Sequence, residues 1–330
     1  MSRLHGRLAL ATGLTLVAWG AVGASVPAPP YLGERLEYTA SYEGLLSGGQ
    51  QVDVAEVVLS TQRRPTRFNG EPAYKTTVRA STGPYEGINR VYPLRYEYNS
   101  LLSADLQRCL MFDQRRDGRK ERHKVVWFDW NEHRVARLRR GADDGRGNGG
   151  GLEAVLDDLA PRGMGQGEPL RSQAMDAFGE LGIIGDEDSY EARAVSVPTL
   201  PDRLFDRLAM LQVLRLSDLD GSSSLHIPVT DGEKLMSYRV EILGRERVHA
   251  DVDGQGWDTY HLRLSAVEAG DAGPGEDSAV DLWLATDSTR TPVRLSSEHR
   301  LGRFEIRLRG AGGAVGGADD AADRVVGVGR

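Results

Sequence analysis

GERLEYTASYEGLLSGGQ, residues 33–50, decides the class of this chain. Leu36, Tyr38, Ala40 and Tyr42 alternate with Glu37, Thr39 and Ser41. A period of two puts the first set on one face of a strand and the second on the other, so the segment predicts a half-buried β-strand that runs into a glycine-rich turn.

The pattern repeats in both directions along the chain. VDVAEVVLS (52–60) and AYKTTVRAS (73–81) are strand-like and are separated by the turn formers Pro65 and Asn69-Gly70. YPLRYEY, LQRCLMFDQRR, ERHKVVWFDW and HRVARLRR follow, with reversals at Asp117-Gly118 and Asn131-Glu132, and predict a meander of antiparallel hairpins. The C-terminal third returns to strict alternation: Met236, Tyr238, Val240 and Ile242 share a face, as do Tyr260, Leu262, Leu264 and Ala266. DLWLAT, PVRLSSEH and GRFEIRLR continue it, the last with Phe304, Ile306 and Leu308 facing in and Arg303, Glu305, Arg307 and Arg309 facing out. With its apolar face turned inward, the sheet should be solvated on its outer face, whereas the outer face of a membrane-spanning barrel must be apolar.

Two segments break the pattern. Residues 141–200 open with GADDGRGNGGG and stay irregular, with short amphipathic helices predicted at Leu152–Leu159 and about Leu170–Leu181. They hold too few large apolar groups for a core of their own and read as an insertion into the sheet domain. RLFDRLAMLQVLRL (203–216) is apolar around most of a helical circumference; a helix starting at Pro201-Asp202 and ending near Leu216 is predicted, and it requires burial. About ten one-sided antiparallel strands and one very apolar helix are reconciled by a strongly curved sheet, a half-barrel or open barrel, packed on that helix. The expected fold is mainly β. It comprises one β-rich domain, residues 25–310, with the insertion at 141–200 and a disordered Gly/Ala-rich tail at 311–330.

Residues 1–24 carry Arg3 and Arg7 ahead of an apolar run ending in Val22-Gly23-Ala24, the layout of a signal peptide cleaved after Ala24. An uncleaved anchor is the alternative, but Thr12, Gly13, Thr15 and Gly20 interrupt the run, which falls short of the roughly 20 apolar residues a spanning helix needs. The expectation is an exported protein that is not integral to the membrane. Its single cysteine, Cys109, can form no internal disulfide, so stability must come from core burial. Losing Arg3 and Arg7 takes the 41 basic residues to 39 against 48 acidic ones, a net charge of −9, which disfavours nucleic acid as a partner.

GERLEYTASYEGLLSGG, VVWFDW, SYRVEILGRERV, WDTYHLRL, DLWLATDSTRTPVRLSSE and GRFEIRL, in that order, together resemble an exported bacterial family known as a domain of unknown function, DUF 3108. The resemblance covers most of Gly33–Leu138 and Leu204–Arg309 and rests on order, spacing and the W-L-x-x-D-x-x-x-x-P run from Trp283 to Pro292. The glycine-rich insertion and the Gly/Ala tail depart from it. It implies a periplasmic β-rich domain with no assigned reaction and no catalytic residue to transfer. By fold analogy alone, a curved sheet with a plugging helix is similar to half-barrels that carry lipids or lipoproteins across the periplasm.

The chain offers little chemistry. Its 7 histidines form no HExxH pair and no cluster with cysteine, so no metal site and no cofactor is expected. SDLDG (217–221) lacks the closing ligands of a calcium loop and reads as a turn, as does DVDGQG (251–256). No GxSxG elbow occurs, and Cys109, within the apolar run LQRCLMF, reads as a packed side chain. No catalytic residue can be named.

Two binding readings remain. The first is a carrier whose apolar concavity, lined by Tyr238, Leu262, Leu282 and Phe304 and roofed by Leu208 and Leu211, takes a lipid or another apolar small molecule. The second is an envelope interaction protein. Basic residues are dense between Arg108 and Arg140, and Arg115, Arg116, Arg119, Lys120, Arg122 and Lys124 would contact an acidic protein partner or anionic lipid.

Overall fold

The computed structural model describes residues 28–118, 122–131, 134–141, 191–196, 200–232, 235–250, 256–268, 279–299 and 302–313. The expected signal peptide, the helices expected at 152–159 and 170–181, nearly all of the 251–256 turn, and residues 314–330 lie outside them.

Fifteen strands form one sheet. They are β1 (Glu34–Gly44), β2 (Gln51–Thr61), β3 (Thr66–Phe68), β4 (Glu71–Ser81), β5 (Arg95–Ser103), β6 (Cys109–Asp117), β7 (Arg122–Asp129), β8 (Arg134–Gly141), β9 (Glu191–Ser196), β10 (Ser224–Thr230), β11 (Leu235–His249), β12 (Gly256–Glu268), β13 (Val280–Ala285), β14 (Pro292–His299) and β15 (Gly302–Gly313). The helices are α1 (Glu86–Val91), between β4 and β5, and α2 (Arg207–Leu214), before β10. Strand order is β10-β11-β12-β13-β14-β15-β1-β2-β4-β5-β6-β7-β8-β9, with β3 paired to β4, and neighbours in the path are antiparallel. Asn69 (φ 48°) and Gly70 (φ 78°) make the β3–β4 turn in the left-handed conformation that an Asn-Gly hairpin requires. Two runs of hairpins are thus fused where the first strand pairs with the last, Tyr38 opposite Leu308 and Tyr42 opposite Phe304.

Among the described residues the strand order ends at β9 and β10, which do not pair with each other, so the sheet does not close strand to strand. Its curvature follows from two backbone contacts. Cys109 N of β6 donates to Leu204 O at 2.9 Å, and the next residue, Phe205, bonds to β10 through Phe205 N to Pro228 O at 3.1 Å and Thr230 N to Phe205 O at 2.9 Å. β6 and β10 stand ten spacings apart in the strand order. That would be roughly 48 Å in a flat sheet, so one extended residue pair can span them only if the sheet is rolled into a near-barrel. Register shifts at Glu37/Tyr38, Ala40/Ser41, Leu101/Leu102, Ile242/Gly244 and Trp283/Leu284 supply bends.

α2 lies inside the roll, with Leu208, Ala209, Met210, Gln212, Val213 and Leu214 buried. One apolar cluster joins Leu36, Tyr38, Leu59, Phe112, Val126, Leu208 and Leu308; a second joins Phe205, Met210, Leu214, Val240, Leu262, Leu282 and Leu284, and Leu211 packs against both.

Five expectations need correction. The strands number fifteen, not about ten, and β3, β9 and β10 lie in segments that carry no strand-like alternation long enough to read. Part of the expected insertion is sheet: β9 pairs with β8 from Arg134 opposite Ser196 to Arg139 opposite Glu191. The helix begins at Arg207, not Pro201, because Leu204 and Phe205 are committed to the β6 and β10 bonds and Asp206 is the cap. Finally, the sheet is not solvated on one face throughout. In β6 and β7, CLMFD and VVWF are buried on both faces, as expected of unbroken apolar runs. The second face carries Leu101, Met111, Val125 and Trp127, with Phe68 edge-on to Trp127 at 6.2 Å between centroids. The last strand also continues past the expected start of the tail, pairing Gly312 with Arg35 and Gly313 with Glu34.

Candidate functional site

Polar side chains converge at the buried cap of α2, in a cleft on the polar face and at one end of the sheet, besides the surface groups Asp220-Arg245-Tyr260 and Glu246-His261-Asp281.

Asp206 is fully buried and accepts five bonds. Its Oδ1 caps α2 by accepting from Leu208 N at 2.7 Å and Ala209 N at 3.1 Å, and also takes the Tyr98 hydroxyl at 3.0 Å. Oδ2 accepts from Ser100 Oγ at 2.5 Å and Cys109 Sγ at 3.0 Å. A carboxylate beside a serine and a cysteine has the composition of a nucleophile-base pair, yet nothing in it is reachable. Burial, reinforced by the Asp206 charge, holds the Cys109 thiol and the Tyr98 hydroxyl well above their ordinary pKa values, which suppresses the thiolate. The cluster fastens the helix. Cys109 is the packed side chain expected.

The other end of α2 is fastened as firmly. Arg215, with no exposed side-chain surface, makes a two-pronged ion pair with Glu34 (Nη2 to Oε2 at 2.7 Å) and donates to the Thr289 carbonyl at 2.9 Å. Its guanidinium lies over the Tyr31 ring at 4.4 Å. Gln212 donates to Thr61 Oγ1 at 3.1 Å and Thr76 Oγ1 at 3.3 Å. The residues expected to line a concavity are distributed accordingly. Leu262 and Leu282 are fully buried and Leu208 nearly so, while Leu211 and Tyr238 are half-buried against the clusters. Phe304 is not with them: it is 45 % exposed near the start of β15, tilted on Tyr42 at 4.9 Å.

On the face opposite Tyr42 and Phe304, a cleft of about 160 Å³ is lined by Ser41, Glu43, Gln51, Arg294, Arg303 and Glu305. Glu305 accepts from Arg294, from Arg303 at 3.2 Å and from Arg307 at 3.3 Å. The guanidinium of Arg294 also stacks on Trp283 at 4.7 Å. With charges matched inside it, the cleft suits water and ions rather than an apolar ligand.

The third region is where β6 meets β7. Arg115, Arg116 and Arg122 are exposed there; Lys124 is half-buried over the Phe112 ring at 6.0 Å, and Arg119 and Lys120 lie outside the described residues. Arg115 pairs with Asp117 at 3.4 Å. Arg116 stacks 5.6 Å from the Tyr92 ring and donates to its hydroxyl. The antiparallel register sets Arg116 opposite Arg122 and Arg115 opposite His123, with His123 Nε2 3.1 Å from buried Asp113. The sequence singled out these cations; it did not show that Tyr92, from the β4–β5 connection, shares their surface.

With the geometry in place, comparisons with known proteins can be set beside it. Residues 157–309 match the family model "Protein of unknown function (DUF3108)". This is the family the sequence resembles, and the Gly33–Leu138 part of the resemblance lies outside the match. No curated protein matches the chain. Among solved structures, a β-barrel-like protein of the domain of unknown function DUF1849 from Brucella abortus is 8% identical, with TM-score 0.48, covering 87% of this chain and 99% of its own. A candidate exported protein with a YmcC-like fold from Bacteroides fragilis is 7% identical, with TM-score 0.30, covering 86% and 98%. A candidate lipoprotein from Parabacteroides distasonis is 6% identical, with TM-score 0.28, covering 86% and 97%. Likenesses at this level assign no function. No helix among the described residues is long and apolar enough to cross a membrane.

Proposed function

We propose that this protein is a non-enzymatic binding module of the bacterial envelope that engages an anionic surface through the β6–β7 hairpin. The observation that carries the reading is the exposed group Arg115, Arg116 and Arg122, with Arg116 braced on Tyr92, in a chain whose net charge is −7. A local cationic surface on an acidic protein steers anions to one place. The pattern of residues 1–24 supports export to the periplasm.

Carriage of an apolar ligand inside the roll is less well supported. Of the lining expected for it, Leu208, Leu262 and Leu282 are core, Leu211 and Tyr238 pack half-buried against it and Phe304 lies elsewhere, and α2 could leave only by stranding Asp206, Gln212 and Arg215.

The test is retention on immobilised heparin at low salt. The chain lacking residues 1–24 is expected to bind and to elute as salt screens the contact, and the variant Arg115→Gln/Arg116→Gln/Arg122→Gln is expected in the flow-through. A wild-type protein that flows through, or a triple variant eluting with it, overturns the reading.

A further inference from the structure

Among the described residues the four most exposed large apolar side chains, Leu45, Leu46, Val91 and Tyr92, fall at one end, while Leu216 and Leu243 are exposed elsewhere. The β1–β2 turn, the β4–β5 connection and the β6–β7 turn point to the same end of the antiparallel roll; Ser81 is opposite Arg95 and Arg95 opposite Asp117, while Glu56 is opposite Ser81, so that β2 continues past the end of β4 from Glu56 to Gln51 and the β1–β2 turn stands farther out. At that end Leu45 is 78 % and Leu46 87 % exposed, and Val91 and Tyr92 are 67 % and 51 % exposed. A soluble domain places single apolar residues on its surface without consequence, but a collection at one end marks a contact.

The leucines are presented by a built turn. Ser47 Oγ accepts from Gly44 N at 3.0 Å and donates back to Gly44 O at 3.1 Å, Gly49 N donates to Gly44 O at 2.9 Å, and Gly48 (φ 65°) takes the left-handed conformation that ends the turn. Neither leucine has a face of its own protein to cover. Around the same end stand Arg90, Arg95, Arg115, Arg116 and Arg122, all exposed, with Glu43, Asp53, Glu86 and Asp117 as the acids, Glu43 and Asp53 flanking the leucine turn. Arg116 over Tyr92 joins the charged hairpin to the apolar connection.

Protruding leucines, a half-exposed tyrosine and flanking arginines match the layers of a bilayer surface: acyl chains, the interface where tyrosine sits, and anionic headgroups. We infer that the anionic surface engaged by the β6–β7 hairpin is a lipid bilayer, and that Leu45 and Leu46 insert into it while the arginines hold the headgroups. The inference rests on the anionic-contact reading above and adds its occupant and a second, apolar anchor.

The test is flotation with vesicles of phosphatidylcholine alone or mixed with phosphatidylglycerol, using the chain lacking residues 1–24. Binding is expected to the mixed vesicles and to fall by about ten-fold for Leu45→Ser/Leu46→Ser. For Arg115→Gln/Arg116→Gln/Arg122→Gln it should fall by about two orders of magnitude. All five positions are exposed, and unchanged unfolding curves would confirm that the variants fold. Equal binding to neutral vesicles, or full binding by the leucine variant, overturns the inference. So does a dimer that the leucine variant dissociates, since the occupant is then a second copy. Heparin retention without vesicle binding overturns the inference alone and points to an acidic protein; loss of heparin retention removes the reading beneath it.

Discussion

Replacing Asp206 by alanine should cost this fold about 3–6 kcal/mol. The figure is assembled from the five bonds its carboxylate accepts. Loss of a helix cap contributes about 0.5–2 kcal/mol. The Tyr98 and Ser100 hydroxyls, both buried, are left without an acceptor at about 1–3 kcal/mol each. The Cys109 thiol adds little, because S–H is a weak donor. Against these stands relief from burying a carboxylate, which keeps the total below the plain sum. Asparagine retains the shape and one acceptor, so Asp206→Asn should cost about 1–3 kcal/mol. Since a domain has about 5–15 kcal/mol in all, the alanine variant should unfold at a visibly lower urea concentration with little change in slope. Tryptophan fluorescence follows the transition, and Trp130, whose Nε1 donates to Cys109 O at 3.0 Å, reports from one residue away. A loss under about 1 kcal/mol for Asp206→Ala would refute the account of α2 as a helix fastened from within.

Three other outcomes are expected. Arg215→Met should cost about 3–5 kcal/mol in urea unfolding by leaving Glu34 mostly buried and unpaired, and Arg215→Met/Glu34→Leu should recover most of it; a double variant as weak as the single would contradict this. Burial holds Tyr31, Tyr38, Tyr98 and Cys109 protonated beyond their ordinary range, so the native chain keeps protons that the unfolded chain releases from about pH 8.5 for cysteine to pH 10 for tyrosine. The resulting stability is intact below that range and is lost as pH rises through it, so absorbance titration should show these tyrosines ionising in one step with unfolding; smooth ionisation of all tyrosines in a folded chain would count against it. Leu208→Ala should cost about 2–4 kcal/mol and half-buried Leu211→Ala about half as much, and equal losses would show that Leu211 is as enclosed as Leu208.

Alternation was enough to read most strands and their inner faces from the chain: Tyr238, Val240, Leu262 and Leu264 pack as their spacing implied. What pattern could not supply was pairing at a distance. Nothing local in GERLEYTA says that Leu36 and Tyr38 will meet Ala311 and Leu308, because residues opposite one another across strands leave no periodic signature. The second buried face of β6 and β7 was legible in the unbroken runs CLMF and VVWF, and alternation elsewhere led to the wrong generalisation. Asp206 carried a cap signal, an acid just before the apolar run, which Pro201-Asp202 masked by offering another start. Gln212 and Arg215 could not be placed, since their burial depends on Glu34, Thr61 and Thr76 arriving from other strands. The hairpin arginines were visible as composition, whereas Tyr92, Leu45 and Leu46 became meaningful only once the register had set three turns at one end.

The pairing of β1 with β15 also governs when the molecule can exist. Residues 34–44 leave the ribosome early, but one of their two edges stays open until residues 302–313 have been made. Contacts of such sequence separation form slowly. Hairpins such as β5–β6 and β11–β12 need only their own residues, so the seam between the two runs is the part of the sheet that the last strand completes.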